Sequence, residues 1–187
     1  VFMLDFFSNS CFLILDFQNF FVRKNSKGFL SKSEKIKSLV IKLADRFIKE
    51  KRVVIATRHF NFEKENDPFF RFYGKVIKKD SFWFQLSNPI ANSKDIIFID
   101  KSAYSPFFSK EFEKLIKKNK IKNIFIVGVM LEKCVLATAL DAFQRNYNVF
   151  VVRECVAGRD VKNEEVYFSL LKRSCCKVVS IEEIINV

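Results

Sequence analysis

The sequence predicts an α/β fold, namely a three-layer α/β/α sandwich around a mostly parallel, doubly wound sheet of about six strands. Apolar runs rich in β-branched residues recur along the chain, and segments with helical periodicity separate most of them. The runs are apolar at consecutive positions, which is typical of strands that helices cover on both faces. We therefore expect residues 1–187 to form a single domain.

Each predicted strand is a short apolar segment bounded by polar or turn-forming residues. The six segments are "CFLILDF" (11–17), "RVVIATR" (52–58), "DIIFID" (95–100), "KNIFIVGV" (122–129), "NVFVVRE" (148–154) and the weaker "CKVVSI" (176–181).

The predicted helices have apolar residues at three- and four-residue spacing. They cover 31–51, 109–120, 132–146 and 163–173, with Ser109 and Asn163 as N-caps of the second and fourth. The segment 61–92 fits neither pattern. It is rich in aromatic residues and too long for a simple connection, so we expect a lid or pocket insertion there.

Composition narrows the functional class. The net charge of +12 comes mainly from lysines scattered along helices and turns, which favours a solvated surface and an anion-steering field over a nucleic-acid interface. No apolar run is long enough to span a membrane, and the first residues lack the basic segment of a secretory signal. Five cysteines without a CxxC pair fit reduced thiols. The expectation is a cytoplasmic protein with no membrane or nucleic-acid partner.

In an open parallel sheet, ligands bind beyond the carboxyl ends of the strands. The polar residues at those predicted ends are therefore the candidates for chemistry. They are Asp16, Arg58, His59, Lys101, Cys134 in the turn after the fourth strand, and Arg153, Glu154 and Cys155.

Three segments, "LILDFQNFF", "DKSAYSPF" and "VGVMLEKCVLATALDAF", resemble the motifs of the isochorismatase-like cysteine hydrolases, which include the nicotinamidases. The motifs occur in the family's order, and the resemblance runs from about Cys11 to the end of the chain. It implies a catalytic triad of Asp16, Lys101 and Cys134. It further implies a cis peptide at Val129–Met130, with the backbone N–H groups of Met130 and Cys134 forming an oxyanion hole.

The roles of the triad are chemically reasonable. A helix N-terminus and the Lys101 ammonium would lower the pKa of the Cys134 thiol, and Asp16 would accept the thiol proton and return it to the leaving amine. Cys134 would attack an amide or imide-like carbonyl, and water would hydrolyse the thioester. The predicted activity is hydrolysis of a C–N bond in a small-molecule amide, without a cofactor.

The predicted substrate pocket contains Phe21, Arg58, His59, Tyr73 and Tyr104, with Phe70, Phe72 and Trp83 as weaker candidates. Metal-dependent members of the family carry an Asp-x-His pair and a further histidine after the second strand. Here His59 and Asn61 stand at those two positions, and a lone histidine makes a poor transition-metal site, so we expect no metal. Whether His59 has more than a structural role stays open.

Two departures from the family pattern leave alternatives open. Phe20 stands where the first motif often has a second acid, and Leu131 stands where a threonine is usual. The alternatives are an isochorismatase-type vinyl-ether hydrolase and a catalytically silent binding protein. Taken singly, Asp16 could be a strand-end cap, Lys101 a surface lysine and Cys134 a core residue. The family resemblance also allows a homo-oligomer, dimeric or tetrameric, which no motif specifies.

Overall fold

One sheet of six parallel strands organises the molecule. The strands are β1 (Ser10–Leu15), β2 (Val53–His59), β3 (Ile96–Lys101), β4 (Asn123–Val129), β5 (Asn148–Ala157) and β6 (Lys177–Val179). Their order in the sheet is β3-β2-β1-β4-β5-β6. The chain therefore winds outward from β1 in one direction and then returns to continue from β4 in the other. The computed structural model describes residues 7–74 and 77–186 of the chain.

Helices cover both faces of this sheet. They are α1 (Asn19–Val22), α2 (Ser31–Lys49), α3 (Pro68–Tyr73), α4 (Lys110–Lys118), α5 (Leu136–Gln144), α6 (Glu164–Ser174) and α7 (Ile181–Ile185). Apolar side chains of α1, α2 and α7 belong to one buried cluster, and those of α4, α5 and α6 belong to a second. The predicted three-layer, doubly wound α/β fold is thereby confirmed.

The two clusters show why the strands read as continuous apolar runs. Along β1, Phe12 and Ile14 point into the cluster under α2, whereas Leu13 and Leu15 point into the opposite cluster. All of these side chains are fully buried. Because successive side chains of a strand face opposite sides, a sheet covered on both faces needs apolar residues at every position.

Three predicted boundaries were wrong. The fifth strand was expected to end at 154, but β5 continues to Ala157 because its pairing with β4 contains an irregularity: Ile126 pairs with Val151, and Gly128 pairs with Val156. The helix expected over 132–146 begins instead with a π-helical turn, Leu131–Val135, ahead of α5. The last strand also begins later than predicted, at Lys177.

The long connection between β2 and β3 packs against the face that carries α2. Its buried residues Ile77, Phe84, Leu86 and Ile90 belong to the same apolar cluster as that helix. Asp67 caps α3 by accepting a hydrogen bond from Phe70 N–H at 2.9 Å. Within the described residues, no helix is long and apolar enough to cross a bilayer.

Candidate active site

Asp16 lies directly after β1, at the point where the winding direction of the sheet reverses. Its backbone adopts φ +51°, a conformation that few residues other than glycine take up. The Thr57 hydroxyl donates a hydrogen bond to Asp16 Oδ1 at 2.7 Å, and Asp16 N–H donates to the Thr57 oxygen at 3.2 Å. The carboxyl group is 0% exposed and held on one side by β2.

Lys101 is the last residue of β3, and its ammonium joins three groups. Nζ lies 2.7 Å from Asp16 Oδ2, 3.1 Å from the carbonyl oxygen of Ala103 and 3.6 Å from Cys134 Sγ. The residue is only 2% exposed. Lys101 is therefore not a surface lysine, and its buried charge has the carboxylate that such a charge requires.

Cys134 reaches this cluster through the turn that follows β4. Gly128 pairs with Leu15 of β1 and has φ +107°; a Cβ there would lie 2.2 Å from the Leu15 carbonyl oxygen. Only glycine allows this close approach, which brings the residues after both strands together. The Val129–Met130 peptide is cis, and the π-helical turn then carries Cys134.

Hydrogen bonds fix the turn around the thiol. The carbonyl of Met130 accepts bonds from Lys133 N–H and Val135 N–H, both at 3.1 Å. The Thr138 hydroxyl donates to the Cys134 carbonyl at 2.5 Å. Leu131, the residue that replaces the usual threonine, is fully buried in the apolar cluster under α5. The turn is thus well hydrogen-bonded without that threonine.

The electrostatics of the thiol differ from the sequence-based expectation. Burial raises the pKa of Cys134 to about 12; Lys101 opposes this effect, and the Asp16 carboxylate adds to it. The expectation that the pKa of this thiol is lowered was therefore wrong, because desolvation outweighs the nearby cation. Burial also disfavours the Lys101 ammonium, but the Asp16 carboxylate, and the Cys134 sulfur when it carries negative charge, outweigh that effect and raise the Lys101 pKa. The resting site holds a protonated thiol.

A cavity of about 340 Å³ opens onto Cys134. Four of the five predicted pocket residues line it, namely Phe21, His59, Tyr73 and Tyr104.

Arg58 does not line this cavity. Its guanidinium pairs with Asp100 at 2.7 Å and lies over the ring of Phe84, and it lines a different cavity. Side chains alternate along β2, so Arg58 and His59 face opposite sides of the sheet, and the prediction for Arg58 was wrong. The weaker candidates Phe70 and Trp83 line a third cavity, and Phe72 is 81% exposed.

Sequence reasoning missed eight residues that line the Cys134 cavity. These are Phe20, Lys27, Gly28, Asn61, Phe69, Ile77, Lys133 and Arg159. A usable signal existed for one of them, because Lys133 immediately precedes the nucleophile candidate. Arg159 follows β5, whose end at Ala157 the sequence did not reveal. The predicted end instead drew attention to Arg153, which pairs with Glu165 of α6.

The residues around His59 do not fit a transition metal. His59 is the chain's single histidine. Its Nε2 lies 2.9 Å from Asn61 Nδ2, and Ile77 N–H donates to Asn61 Oδ1 at 3.3 Å, so the amide presents its NH₂ group to the imidazole. Burial, and then the charge of Lys101, lowers the His59 pKa to about 4. Over 7–74 and 77–186, no three His, Cys, Asp or Glu side chains come together in a metal-binding group.

Comparisons with known proteins agree with this architecture. The chain is 25% identical over 163 residues to isochorismatase family protein 2A of Dictyostelium discoideum, covering 84% of this chain and 75% of that protein. It is 27% identical over 101 residues to the uncharacterized isochorismatase family protein YaaI of Bacillus subtilis, covering 49% and 56%. It is 26% identical over 85 residues to N-carbamoylsarcosine amidase of Arthrobacter sp, covering 46% and 32%. The last two matches span about half and one third of those relatives.

Two solved structures have similar folds. A cysteine hydrolase from Pseudomonas syringae pv. phaseolicola 1448A superposes with a TM-score of 0.89 at 16% identity, over 95% of this chain and 91% of that one. The pyrazinamidase of Pyrococcus horikoshii, solved in complex with zinc, superposes with a TM-score of 0.80 at 25% identity, over 92% and 99%.

The model of the isochorismatase domain matches residues 10–183, which is nearly all of the sequence. This protein therefore belongs to the isochorismatase family.

Proposed function

We propose that this protein is a hydrolase that cleaves a C–N bond of a small amide or imide-like molecule through a thioester on Cys134. One observation carries the proposal: a single buried ammonium, that of Lys101, contacts both the Asp16 carboxylate at 2.7 Å and the Cys134 sulfur at 3.6 Å. A nucleophile, a proton acceptor and a fixed cation together are the parts that covalent acyl transfer needs.

The relatives support the amide as the substrate class. One relative is named an amidase acting on N-carbamoylsarcosine, and a solved structure that is 25% identical is named a pyrazinamidase. Both names describe cleavage of amide-type C–N bonds. The cavity volume of about 340 Å³ suits a small molecule and not a polymer segment.

The high thiol pKa determines how the nucleophile forms. A thiol with a pKa of about 12 is almost entirely protonated at neutral pH. The Asp16 carboxylate therefore takes the Cys134 proton as Sγ attacks the carbonyl carbon, so that no free thiolate accumulates. Lys101 keeps its charge, because its raised pKa holds the proton on nitrogen, and it stabilises the sulfur while negative charge develops.

Attack produces a tetrahedral oxyanion, for which the backbone N–H groups of Met130 and Cys134 are the proposed donors. A single such donor typically contributes about 3 kcal/mol to transition-state stabilisation. The C–N bond then breaks as the amine takes the proton from Asp16. The product of this half-reaction is the Cys134 thioester.

Hydrolysis of the thioester reverses the proton movements. Asp16, again a carboxylate, accepts a proton from the attacking water. The C–S bond breaks, the acid product leaves, and the sulfur regains its proton. No step routes through a metal, since the donor set around His59 does not fit one.

The alternative of a silent binding protein rested on Leu131. That argument is weakened by the hydrogen bonds that Met130 and Thr138 make within the turn. Vinyl-ether hydrolysis does not require a nucleophilic cysteine, and the contact between Cys134 and Lys101 would then have no chemical purpose.

Ammonia release from a panel of small amides and N-carbamoyl compounds tests the proposal. The wild-type protein should hydrolyse at least one of them, and Cys134→Ala should abolish that activity. Cys155→Ala is the matched control, because Cys155 is also a buried cysteine but lies in the core under α2. Activity that survives in Cys134→Ala would rule out the nucleophile.

A further inference from the structure

The charged side chains that line the Cys134 cavity all have the same sign. Three charged side chains line it, Lys27, Lys133 and Arg159, and all are cationic. Among the residues that the structure describes, no aspartate or glutamate lines this cavity. Two carboxylates are sequence neighbours of these cations. Glu132 accepts a hydrogen bond from the backbone N–H of Arg159 at 2.9 Å, and Asp160 accepts one from Asn163 Nδ2 at 3.1 Å.

The three cations also lack acidic partners among the described residues. Lys133 Nζ donates to the hydroxyl of Tyr73 at 2.7 Å and lies 4.5 Å from the centre of that ring. Arg159 Nη2 donates to the carbonyl of Gly28 at 3.2 Å. Arg58 and Arg153, which lie outside the cavity, each pair with a carboxylate.

Unpaired lysines are common on a chain with net charge +12, so the lack of partners is not sufficient by itself. The shape of the surface adds to it. A concave site lined by one sign of charge, with apolar walls, concentrates the field and attracts the opposite charge. Here the walls are apolar and include Phe20, Phe21 and Phe69.

Two tyrosine hydroxyl groups continue the row of hydrogen-bonding groups that begins at the Lys133 ammonium. Lys133 donates to the Tyr73 oxygen, whose hydroxyl lies 2.5 Å from that of Tyr104. Either hydroxyl can donate in this pair, and when Tyr73 donates, the Tyr104 hydroxyl has its own proton available for a ligand. Burial raises the Tyr104 pKa, so the Tyr104 hydroxyl stays protonated at neutral pH.

We propose that the cavity binds an anionic group of the substrate through Lys27, Lys133, Arg159 and the Tyr104 hydroxyl. The substrate class is then an amide or N-carbamoyl compound that carries a carboxylate. This inference rests on the proposed hydrolase function for its catalytic part. The anion-binding part does not, because binding can be measured without turnover.

The catalytic arm compares substrates matched in shape. Succinamate carries a carboxylate at the position where 4-methylpentanamide carries an isopropyl group of similar shape. N-carbamoyl amino acids can be paired with neutral isosteres in the same way. For at least one pair, kcat/KM should be about tenfold or more higher for the anionic member, since a hydrogen bond to a charged group is worth at least that much. The preference should shrink as ionic strength rises.

Charge-removing variants test the residues. Lys27→Gln, Lys133→Gln and Arg159→Gln should each lower the ratio of anionic to neutral kcat/KM by several-fold or more. Lys94→Gln is the matched control, because Lys94 precedes β3 and lies at the opposite edge of the sheet. It should leave the ratio unchanged. An equal or neutral-favouring ratio in the wild type would overturn the inference.

The binding arm uses Cys134→Ala and isothermal titration with succinamate and succinate. We expect both anions to bind to Cys134→Ala, and 4-methylpentanamide to bind at least tenfold more weakly. The double variant Cys134→Ala/Lys133→Gln should lose most of the affinity for the two anions. Anion binding without hydrolysis of any pair would refute the hydrolase and support the anion site. Hydrolysis of neutral amides without anion binding would support the hydrolase and refute the anion site. If neither hydrolysis nor anion binding is found, the anion site is refuted together with the hydrolase.

Discussion

Replacing Asp16 with Asn separates two roles of the carboxylate that normally act together. The substitution keeps the size of the side chain and the oxygen that accepts from Thr57 at 2.7 Å. It removes the negative charge 2.7 Å from Lys101 and the group that accepts the Cys134 proton. We expect hydrolysis to fall and alkylation of the Cys134 thiol to become faster.

The opposite directions follow from the charges. The Asp16 carboxylate raises the thiol pKa, whereas Lys101 lowers it, and the present value is about 12. At the 3.6 Å separation of Nζ and Sγ, opposite charges attract by about 4.6 kcal/mol at an effective dielectric constant of about 20, or roughly three pKa units. Asp16→Asn removes the carboxylate that opposes Lys101, although burial of the thiol remains, so the thiolate fraction at pH 8 should rise by between about tenfold and a thousandfold.

The assay is the rate of modification by iodoacetamide, measured by mass spectrometry at several pH values, beside the hydrolysis rate. Because only the thiolate reacts, the wild-type rate should climb tenfold per pH unit up to about pH 12. In Asp16→Asn this profile should shift to lower pH. Hydrolysis should fall by about 10² to 10⁴, the usual contribution of a general acid–base group.

Asp100→Asn is the matched control. Asp100 precedes Lys101 in β3, but its carboxylate pairs with Arg58 and Lys79 and does not contact the thiol. The same loss of charge there should leave the alkylation profile unchanged. Slower alkylation in Asp16→Asn than in the wild type, with the fold intact by circular dichroism, would refute the reasoning.

Gly128→Ala should cost at least about 2 kcal/mol in the free energy of unfolding, because the new Cβ would meet the β1 backbone at 2.2 Å; Gly74→Ala, whose Cβ meets no described atom within 4 Å, should cost about 1 kcal/mol or less. Urea titrations compare the two, and equal costs would contradict the close-approach argument. Lys101→Met should cost about 3–5 kcal/mol by leaving the buried Asp16 carboxylate unpaired, again measured in urea. The His59 pKa of about 4 lies below its unfolded value of 6.5, so its contribution to stability is complete above pH 6.5 and is lost as pH falls towards 4. This loss totals roughly 3 kcal/mol and should be absent in His59→Asn. Elemental analysis of protein purified without chelators should find no stoichiometric zinc, and a full equivalent would contradict the assignment of the His59 hydrogen bonds.

The strands and most helices were predictable because burial on both faces leaves an unbroken apolar run in the sequence. The error at β5 has a physical cause. Arg153 and Glu154 sit in the irregular part of the strand, where their side chains reach α6 and the N-terminus of α7. Charged residues after an apolar run normally mark the end of a buried strand. The local sequence therefore did not indicate that β5 continues to Ala157.

Only part of the candidate site could be predicted from the sequence. Asp16, Lys101 and Cys134 were identified because they follow strands that meet at one edge of the sheet and match family motifs. The pKa of Cys134 was misjudged because the sequence gives its neighbours and not the degree of its desolvation. Lys27 and Arg159 resemble any surface cation until the fold places them around one cavity.

Mass spectrometry of the intact protein, acid-quenched during steady-state hydrolysis of a substrate identified from the panel, tests the central claim most directly. We predict a population heavier by the acyl group of that substrate, with the added mass on the peptide that contains Cys134 and absent from Cys134→Ala. Sustained turnover with no adduct on this cysteine under rapid quenching, together with activity in Cys134→Ala, would contradict the thioester mechanism.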